Sequence, residues 1–450
     1  MPRLSLLRAL THRNFRLFFL GQTLSLIGTW TQATAMPWLV HRLSGDELIL
    51  GLVAFSAQIP SFFLPPLAGV IADRVNRHRL LIVTQSLAMA QAFALAALVL
   101  TDRVQIWSLV LVNLTLSAIN AFDMTARQAF LGDMLDNRDD LANAIALNSS
   151  MVHGARLFGP AIAAQLIAWT GEGGCFLANA LSFTAVLGAL LLMRLPPHRP
   201  PDVRVPFFQG LRDGFDYVRG SPPIRATLIA TCAVSLFGLS YALLLPVYTH
   251  EFLDGSPRTY GWLMTAPGVG AFTAGVLLAW RGLKGVLTRI AVSPVTAGLC
   301  LCGFGWYPSF GWALALLFGA GFSFLTFLNS CNMLLQGIAD DDKRGRVLSF
   351  YSMAFLGMAP IGSLAAGALA KGIGVVGALQ VAGIMCMLTG LAFRRSKSRW
   401  SAEVRATLRA RRSPHKEAVR VGTDPEPLAP PLATEVPPPV AAAAADSQTR

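Results

Sequence analysis

The sequence predicts an all-α membrane protein of about twelve transmembrane helices, arranged as two pseudo-symmetric six-helix halves. Three observations carry this. Of 450 residues, 54% are hydrophobic and only 14% charged, and the mean hydropathy is +0.52, well above that of a soluble domain of similar length. Apolar stretches of roughly 20 residues, enough to cross about 30 Å of hydrocarbon as a helix, recur along almost the whole chain. Basic residues gather in alternate connections between those stretches, and the two halves of the chain echo one another.

The expected spans are 15–40, 48–72, 80–100, 104–121, 142–170, 174–192, 224–248, 259–280, 290–306, 310–335, 347–369 and 372–393. The first resembles a signal peptide only briefly: its apolar run starts after Arg16, continues too long and ends without a small-residue cleavage site, so it reads as a retained span. The ninth is short and rich in Gly and Cys, which leaves eleven spans as the alternative count. An even count places both termini on one side of the membrane.

The net charge of +13 does not imply nucleic acid, because its distribution follows the membrane. All but five of the 37 lysines and arginines fall in the N-terminus, the even-numbered connections and the C-terminal tail. The five are Arg42, Arg103, Arg258 and Lys371 on the other side, and Arg156 inside a span. By the positive-inside rule both ends are expected in the cytoplasm, and the expected location is a bacterial inner (plasma) membrane, crossed many times.

Organisation follows from the same pattern. Residues 1–14 form a cytoplasmic N-terminus, 15–193 the first half, 194–223 a linker, 224–393 the second half and 394–450 a cytoplasmic tail. The linker opens with a Pro-rich run and then sets Phe208, Leu211, Phe215 and Val218 at helical spacing among charged residues, which predicts an amphipathic helix on the membrane surface. In the tail a basic run, Arg394 to Arg399, gives way to a Pro/Ala-rich segment. Such composition predicts disorder, with the basic part against anionic lipid headgroups. Six cysteines, Cys175, Cys232, Cys300, Cys302, Cys331 and Cys386, lack paired CxxC spacing. Neither a metal site nor a disulfide framework follows, and they read as small packing residues.

The repeat is weak but consistent. A shift of 209 aligns Asn120-Ala121-Phe122-Asp123-Met124 with Asn329-Ser330-Cys331-Asn332-Met333, and a shift of 200 aligns Gly159-Pro160 with Ala359-Pro360. Repeated six-span halves around a midplane site are a transporter architecture.

After the second span stands Gly69-Val70-Ile71-Ala72-Asp73-Arg74-Val75-Asn76-Arg77-His78-Arg79, which resembles the signature between the second and third helices of the major facilitator superfamily. Gly69 permits close helix packing, and Asp73 can accept hydrogen bonds from a facing helix N-terminus; the resemblance implies that this is the start of span eleven. Asn76 stands where the signature carries a second glycine, and Asn tolerates a left-handed backbone. The competing reading, an ordinary basic loop, explains Arg74, Arg77 and Arg79 but not an acid at the membrane edge. A shift of 206 sets Gly275 against Gly69 and Ala279 against Asp73, so the second half lacks the acid. Asp123 to Arg127, Asn143 to Ser149 and Arg156 to Pro160 together resemble the branch of this superfamily that holds the enterobactin exporter and macrolide-efflux proteins. The resemblance spans about residues 10–395 and implies the major facilitator fold and secondary transport by alternating access. It further implies export of a small amphiphilic molecule of the siderophore or drug class, driven by proton antiport. The gate residues it implies are Gly69, Asp73, Arg74, Arg77 and Arg79 with Asp123, Arg77 pairing with Asp123 in the outward-open state and Arg127 competing for it.

The pathway candidates lie on the fifth span. Arg156 is 14 residues from each end of 142–170, and burying it at mid-depth costs at least ~2.5–3.5 kcal/mol, so it must face protein or water. At 100° per residue, Ser149, His153, Arg156 and Pro160 share one polar, kinkable stripe. Either Arg156 hydrogen-bonds carbonyls freed by Pro160 or a neighbouring span, or it attracts an anionic or catecholate-like substrate group, with His153 as the nearest candidate proton carrier. Gly159-Pro160 also resembles the fifth-helix motif of antiporters, although Ala163-Ala164 replace its two glycines. No acid lies near mid-depth in any span, so proton coupling rests on the resemblance, and an importer or facilitator with the same fold is the alternative. An intramembrane enzyme would need two acidic clusters for a metal and its diphosphate; the single run Asp340-Asp341-Asp342 is followed by Lys343, Arg344 and Arg346. No GxxxxGK[ST] loop is present. The chain is therefore expected not to be an enzyme, to need no metal or cofactor, to bind no nucleic acid and to work as a monomer. A non-transporting receptor is the remaining class.

Overall fold

The computed structural model describes residues 7–137, 140–195, 215–281, 283, 285–340 and 343–410. Among these the regular structure is all helical, as a chain in hydrocarbon requires when every backbone polar group must find its partner within its own segment. The first span is α1 (Arg13–Ser44), closed by Gly45 in the left-handed conformation. The second is broken into α2 (Glu47–Ser56), α3 (Ile59–Phe63) and α4 (Pro65–Arg74). Asp46 caps α2 through Leu48 N and Ile49 N, and Pro60, Pro65 and Pro66 each withhold a donor where the breaks fall. Then come α5 (Arg77–Leu100), α6 (Ile106–Phe130) and the long α7 (Leu141–Leu191).

The second half begins with α8 (Pro222–Ala233), a π-turn at Val234–Gly238 and α9 (Tyr241–Leu253). It continues with α10 (Pro257–Arg281), α11 (Val286–Cys302), α12 (Phe310–Ile338), α13 (Arg344–Leu356) and α14 (Met358–Lys397). Eight helical runs among the described residues are long and apolar enough to cross a membrane.

Two of those runs reverse direction within themselves. Gly171 (φ 71°) interrupts α7 and Gly374 (φ 78°) interrupts α14, backbone conformations natural only to glycine. That the chain folds back is shown by Cys175 Sγ, which lies 3.7 Å from Ala163 O twelve residues earlier. Each run is thus an antiparallel hairpin, and the two glycines stand 203 residues apart, within the range of the sequence repeat. The ninth expected span is realised as α11, extended by a turn at Gly303–Gly305.

Within the first half α1 runs beside both arms of α7. Ala9 N donates to Asn143 Oδ1 at 2.9 Å, Gly159 abuts Trp30, and Arg42 Nε meets Glu172 Oε1 at 2.9 Å. On the returning arm Gly28 abuts Ser182 and Asn179, and Gly21 abuts Ala185 and Val186. Phe15, Phe18, Leu81, Phe130 and Val186 form the buried core beneath this end. In the second half Gly298 and Gly383 cross at backbone contact, as do Gly390 and Ala291, binding α11 to the returning arm of α14. We call the end of the bundle carrying Arg74, Arg77, Arg194, Arg344 and Arg394 the basic face, and the end carrying Gly45, Gly171 and Gly374 the far face.

Two expectations meet the structure in part. The last helix continues through Arg394 and Arg395 to Lys397, and a separate short helix, α15 (Ser401–Ala410), follows; the tail is therefore not structureless from 394. Arg and Lys are good helix formers, and their charge suits a helix C-terminus. Residues 411–450 lie outside the described part. Of the linker, 215–220 is helical, with Phe215 on Phe350 at 6.5 Å and Tyr217 Oη donating to Asp340 Oδ2 at 3.0 Å. Residues 196–214, including Phe208 and Leu211, lie outside it.

Candidate functional site

The two halves meet along two helix pairs, and their contacts concentrate toward the far face. Lys371 Nζ reaches Asp46 Oδ2 at 2.5 Å. Below it Gly51 and Gly367 bring α2 and the outgoing arm of α14 to backbone contact, and Gln58 Nε2 donates to Ser363 Oγ at 3.5 Å. On the other side of the bundle Gly261 of α10 lies against Ala164 and Pro160 of α7, and Gly268 against Leu157. Between these seams the Trp38 and Tyr260 rings stack at 5.3 Å, Tyr260 Oη donates to Thr34 O at 3.2 Å, and the His41 and His250 rings meet edge-on at 5.5 Å. Glycine-to-backbone contact of this kind lets helices approach closely without trapping side chains.

At the basic face the residues of the signature are arranged as follows. Asn76 has φ −65° and caps α5 by accepting from Arg79 N at 3.1 Å, so it replaces the glycine as a cap and not as a left-handed turn. Among the described residues Gly69 has no atom within 4 Å of where a Cβ would stand, and so no close packing partner in this conformation. Arg77 reaches Asp133 Oδ2 at 3.5 Å. Asp123 is buried and accepts from Gln85 Nε2 at 2.7 Å, from Thr84 Oγ1 at 3.0 Å and from the Arg127 guanidinium. The short i,i+4 step on α6 gives Arg127 the advantage over a residue on another helix. Arg74 and Arg79 are exposed. The side chains of Asp73 and His153 lie outside the described part.

The first half also ties down its N-terminus here. His12 sits between two carboxylates, Nδ1 at 3.0 Å from Asp136 Oδ2 and Nε2 at 2.9 Å from Asp140 Oδ2, while Arg8 Nε holds the second oxygen of Asp140 at 3.0 Å. The hydrogen bond to Asp140, seconded by Asp136, raises the pKa of His12 against the opposing effect of burial.

Mid-way through α7 the expected stripe divides. Ser149 and Arg156 are exposed, Gly159 is clasped against Trp30, and Pro160 is buried within the helix. The Arg156 guanidinium lies over the Trp30 ring, 5.5 Å from its centroid, and Tyr241 of the second half is within its electrostatic reach. Tyr241 stacks in turn on Phe324 at 5.7 Å. No carboxylate among the described residues pairs with Arg156. The site thus sets one cation on the aromatic face of Trp30, a surface suited to a flat or amphiphilic anion. Trp30, Tyr241 and Phe324 were not picked out from the sequence; the polar residues of α1 around Trp30, Gln22, Ser25, Thr31, Gln32 and Thr34, are the signal that could have found it. Among the described residues no group of three metal-ligating side chains occurs.

Comparison with known proteins follows the same line. The chain is 28% identical over 341 residues to the staphyloferrin A transporter of Staphylococcus aureus, covering 75% of this chain and 84% of that one. It is 25% identical over 332 residues to the enterobactin exporter EntS of Shigella boydii, covering 73% and 77%. The solved structure of the nucleoside transporter NupG superposes with a TM-score of 0.65 at 13% identity, over 85% of this chain and 98% of that one. A family model described as transmembrane secretion effector matches residues 4–426, and the chain belongs to that family, within the major facilitator transporters.

Proposed function

We propose that this transporter exports a small amphiphilic anion of the siderophore or drug class from the cytoplasm of a bacterium, by alternating access and in exchange for protons. Arg156 carries the reading: a cation at mid-depth, over Trp30 and between the halves, with no carboxylate partner among the described residues. An arginine held there without a resident anion is costly, and a substrate anion entering the cleft would offset that cost. The positive-inside distribution sets the basic face in the cytoplasm, and the seam closed at the far face then makes this the inward-open state. Export is supported by the likeness to the enterobactin exporter EntS, and proton exchange by the likeness to antiporters, with His153 as the nearest titratable side chain in sequence. Asp73 and Asp123, with Arg77 and Arg127, would form the cytoplasmic gate when the basic face closes.

The test compares anionic and neutral substrates in proteoliposomes. Arg156→Lys keeps the charge but loses the planar fork, and Arg156→Gln loses both. Export of the anion should fall stepwise from Arg to Lys to Gln while export of neutral amphiphiles changes little. Equal loss of both classes in folded Arg156→Gln protein would make Arg156 a structural residue. Substrate-driven proton flux in the same vesicles tests the coupling.

A further inference from the structure

A second cavity, of about 520 Å³, lies between α10, α11 and α12. It is distinct from the cleft between the halves. Helix α10 turns Gly261 and Gly268 toward the first half, but Gly270 and Gly321 mark the side on which it meets α12, and the cavity opens on this second side. Its lining includes the exposed apolar side chains Val292 and Phe318, the kind of perimeter that faces acyl chains.

Its composition is not that of a plain packing defect. Leu277, Phe318 and Phe322 make the walls, but the floor carries hydroxyls: Ser293, Thr296, Ser323 and Thr326. Three of these are buried, Ser293, Ser323 and Thr326. Thr296 and Ser323 share a hydrogen bond of 2.8 Å across α11 and α12, and Thr326 donates to Phe322 O at 2.7 Å. A hydroxyl so engaged keeps acceptor capacity. At the end nearest the basic face the lining includes Arg289, whose Nε donates to Ser330 Oγ at 3.1 Å. From Thr288 to Cys300 the groove follows α11 for about 18 Å at 1.5 Å per residue, close to the ~15 Å depth of one leaflet's hydrocarbon.

We propose that this groove is a binding site for an anionic phospholipid of the leaflet on the basic face, with its phosphate at Arg289 and one acyl chain lying along α11. A cation at headgroup level above an apolar channel one leaflet deep matches the two ends of that molecule, and basic pockets between transmembrane helices are known to take such headgroups. The site is independent of the transport cleft and of the direction of transport.

Native mass spectrometry of the full chain, equilibrated with equal phosphatidylglycerol and phosphatidylcholine of identical acyl chains, reads the occupant directly. Phosphatidylglycerol should be retained in preference. Arg289→Gln should lower that retention about fivefold, the factor that corresponds to one basic residue near an anionic surface, and Arg289→Lys should restore most of it. Thr296→Trp, which fills the groove and leaves Arg289 in place, should remove the bound lipid, and it decides the matter even if Arg289→Gln does not fold. Equal retention of the two lipids, or undiminished phosphatidylglycerol on folded Arg289→Gln or Thr296→Trp protein, would overturn the proposal.

Discussion

Replacing Gly261 by Ala tests the far-face seam with a single methyl group. A Cβ at this position would overlap the Ala164 methyl, stand 3.0 Å from the Ala164 Cα and stand 3.1 Å from Pro160 O. All three of these neighbours are backbone atoms or bonded directly to the backbone, so no side chain can rotate away; α10 must shift from α7. Overpacking of this sort costs ~1–3 kcal/mol. Only the conformation closed at the far face makes this contact, so the whole cost enters the balance between the two states, a ~5–150-fold shift toward opening there. Spin labels at Ser44→Cys and Ser256→Cys, in a chain whose six native cysteines are replaced, report the far-face separation by double electron–electron resonance. Gly261→Ala should transfer population to a longer distance, while Gly311→Ala, which has no atom within 4 Å of its new methyl, should change nothing. An unaltered distance distribution in folded Gly261→Ala protein would refute the view that this seam moves.

Other expectations follow from the same contacts. Removing the buried carboxylate in Asp123→Ala strands Arg127 and should lower stability by ~3–5 kcal/mol, read as a large fall in unfolding temperature; Asp123→Asn, which keeps an acceptor for Gln85, should cost less. Gly171→Ala places a Cβ in a conformation costing ~1–3 kcal/mol and should destabilise the hairpin, visible as faster amide exchange around Glu172. The pKa of His12 is raised above 6.5 in the folded chain, so its contribution to the N-terminal clamp is complete below the unfolded pKa and is lost as pH rises through the higher folded value. A spin label at Leu7→Cys should therefore be immobile in mild acid and mobile in alkali, and the transition should vanish in His12→Gln. Asp73→Asn, assayed with surface expression held constant, should reduce transport; full activity would remove Asp73 from the gate.

The spans were legible because the bilayer imposes length and apolarity on each one separately. What depends on two segments at once was not. The second span reads as one run, 48–72, with Pro60, Pro65 and Pro66 in plain view inside it, but the three helices into which they divide it do not show there. Gly171 and Gly374 fall between the expected spans, yet nothing local says that one residue suffices to reverse the chain. Arg156 stood out as a lone charge in an apolar run, whereas Trp30 and Tyr241 are ordinary for membrane helices and acquire meaning only through their nearness to it. Asp123 and Arg127 were set together by i,i+4 spacing, a local rule; the contact of Arg77 with Asp133 depends on tertiary packing and had no local signal.

The hairpins at Gly171 and Gly374 bear on how force travels through the molecule. A connection of many residues is slack: one helix can tilt while its neighbour stays put. Here the joint is a single residue, so the outgoing and returning arms share a stiff vertex, like the two legs of a pair of compasses. The outgoing arm of α7 bears on α10 at Gly261, and that of α14 bears on α2 at Gly51. The returning arms are fastened to α1 and α11. A displacement at either seam is therefore passed to the outer flank of its own half with little slack at the hairpin.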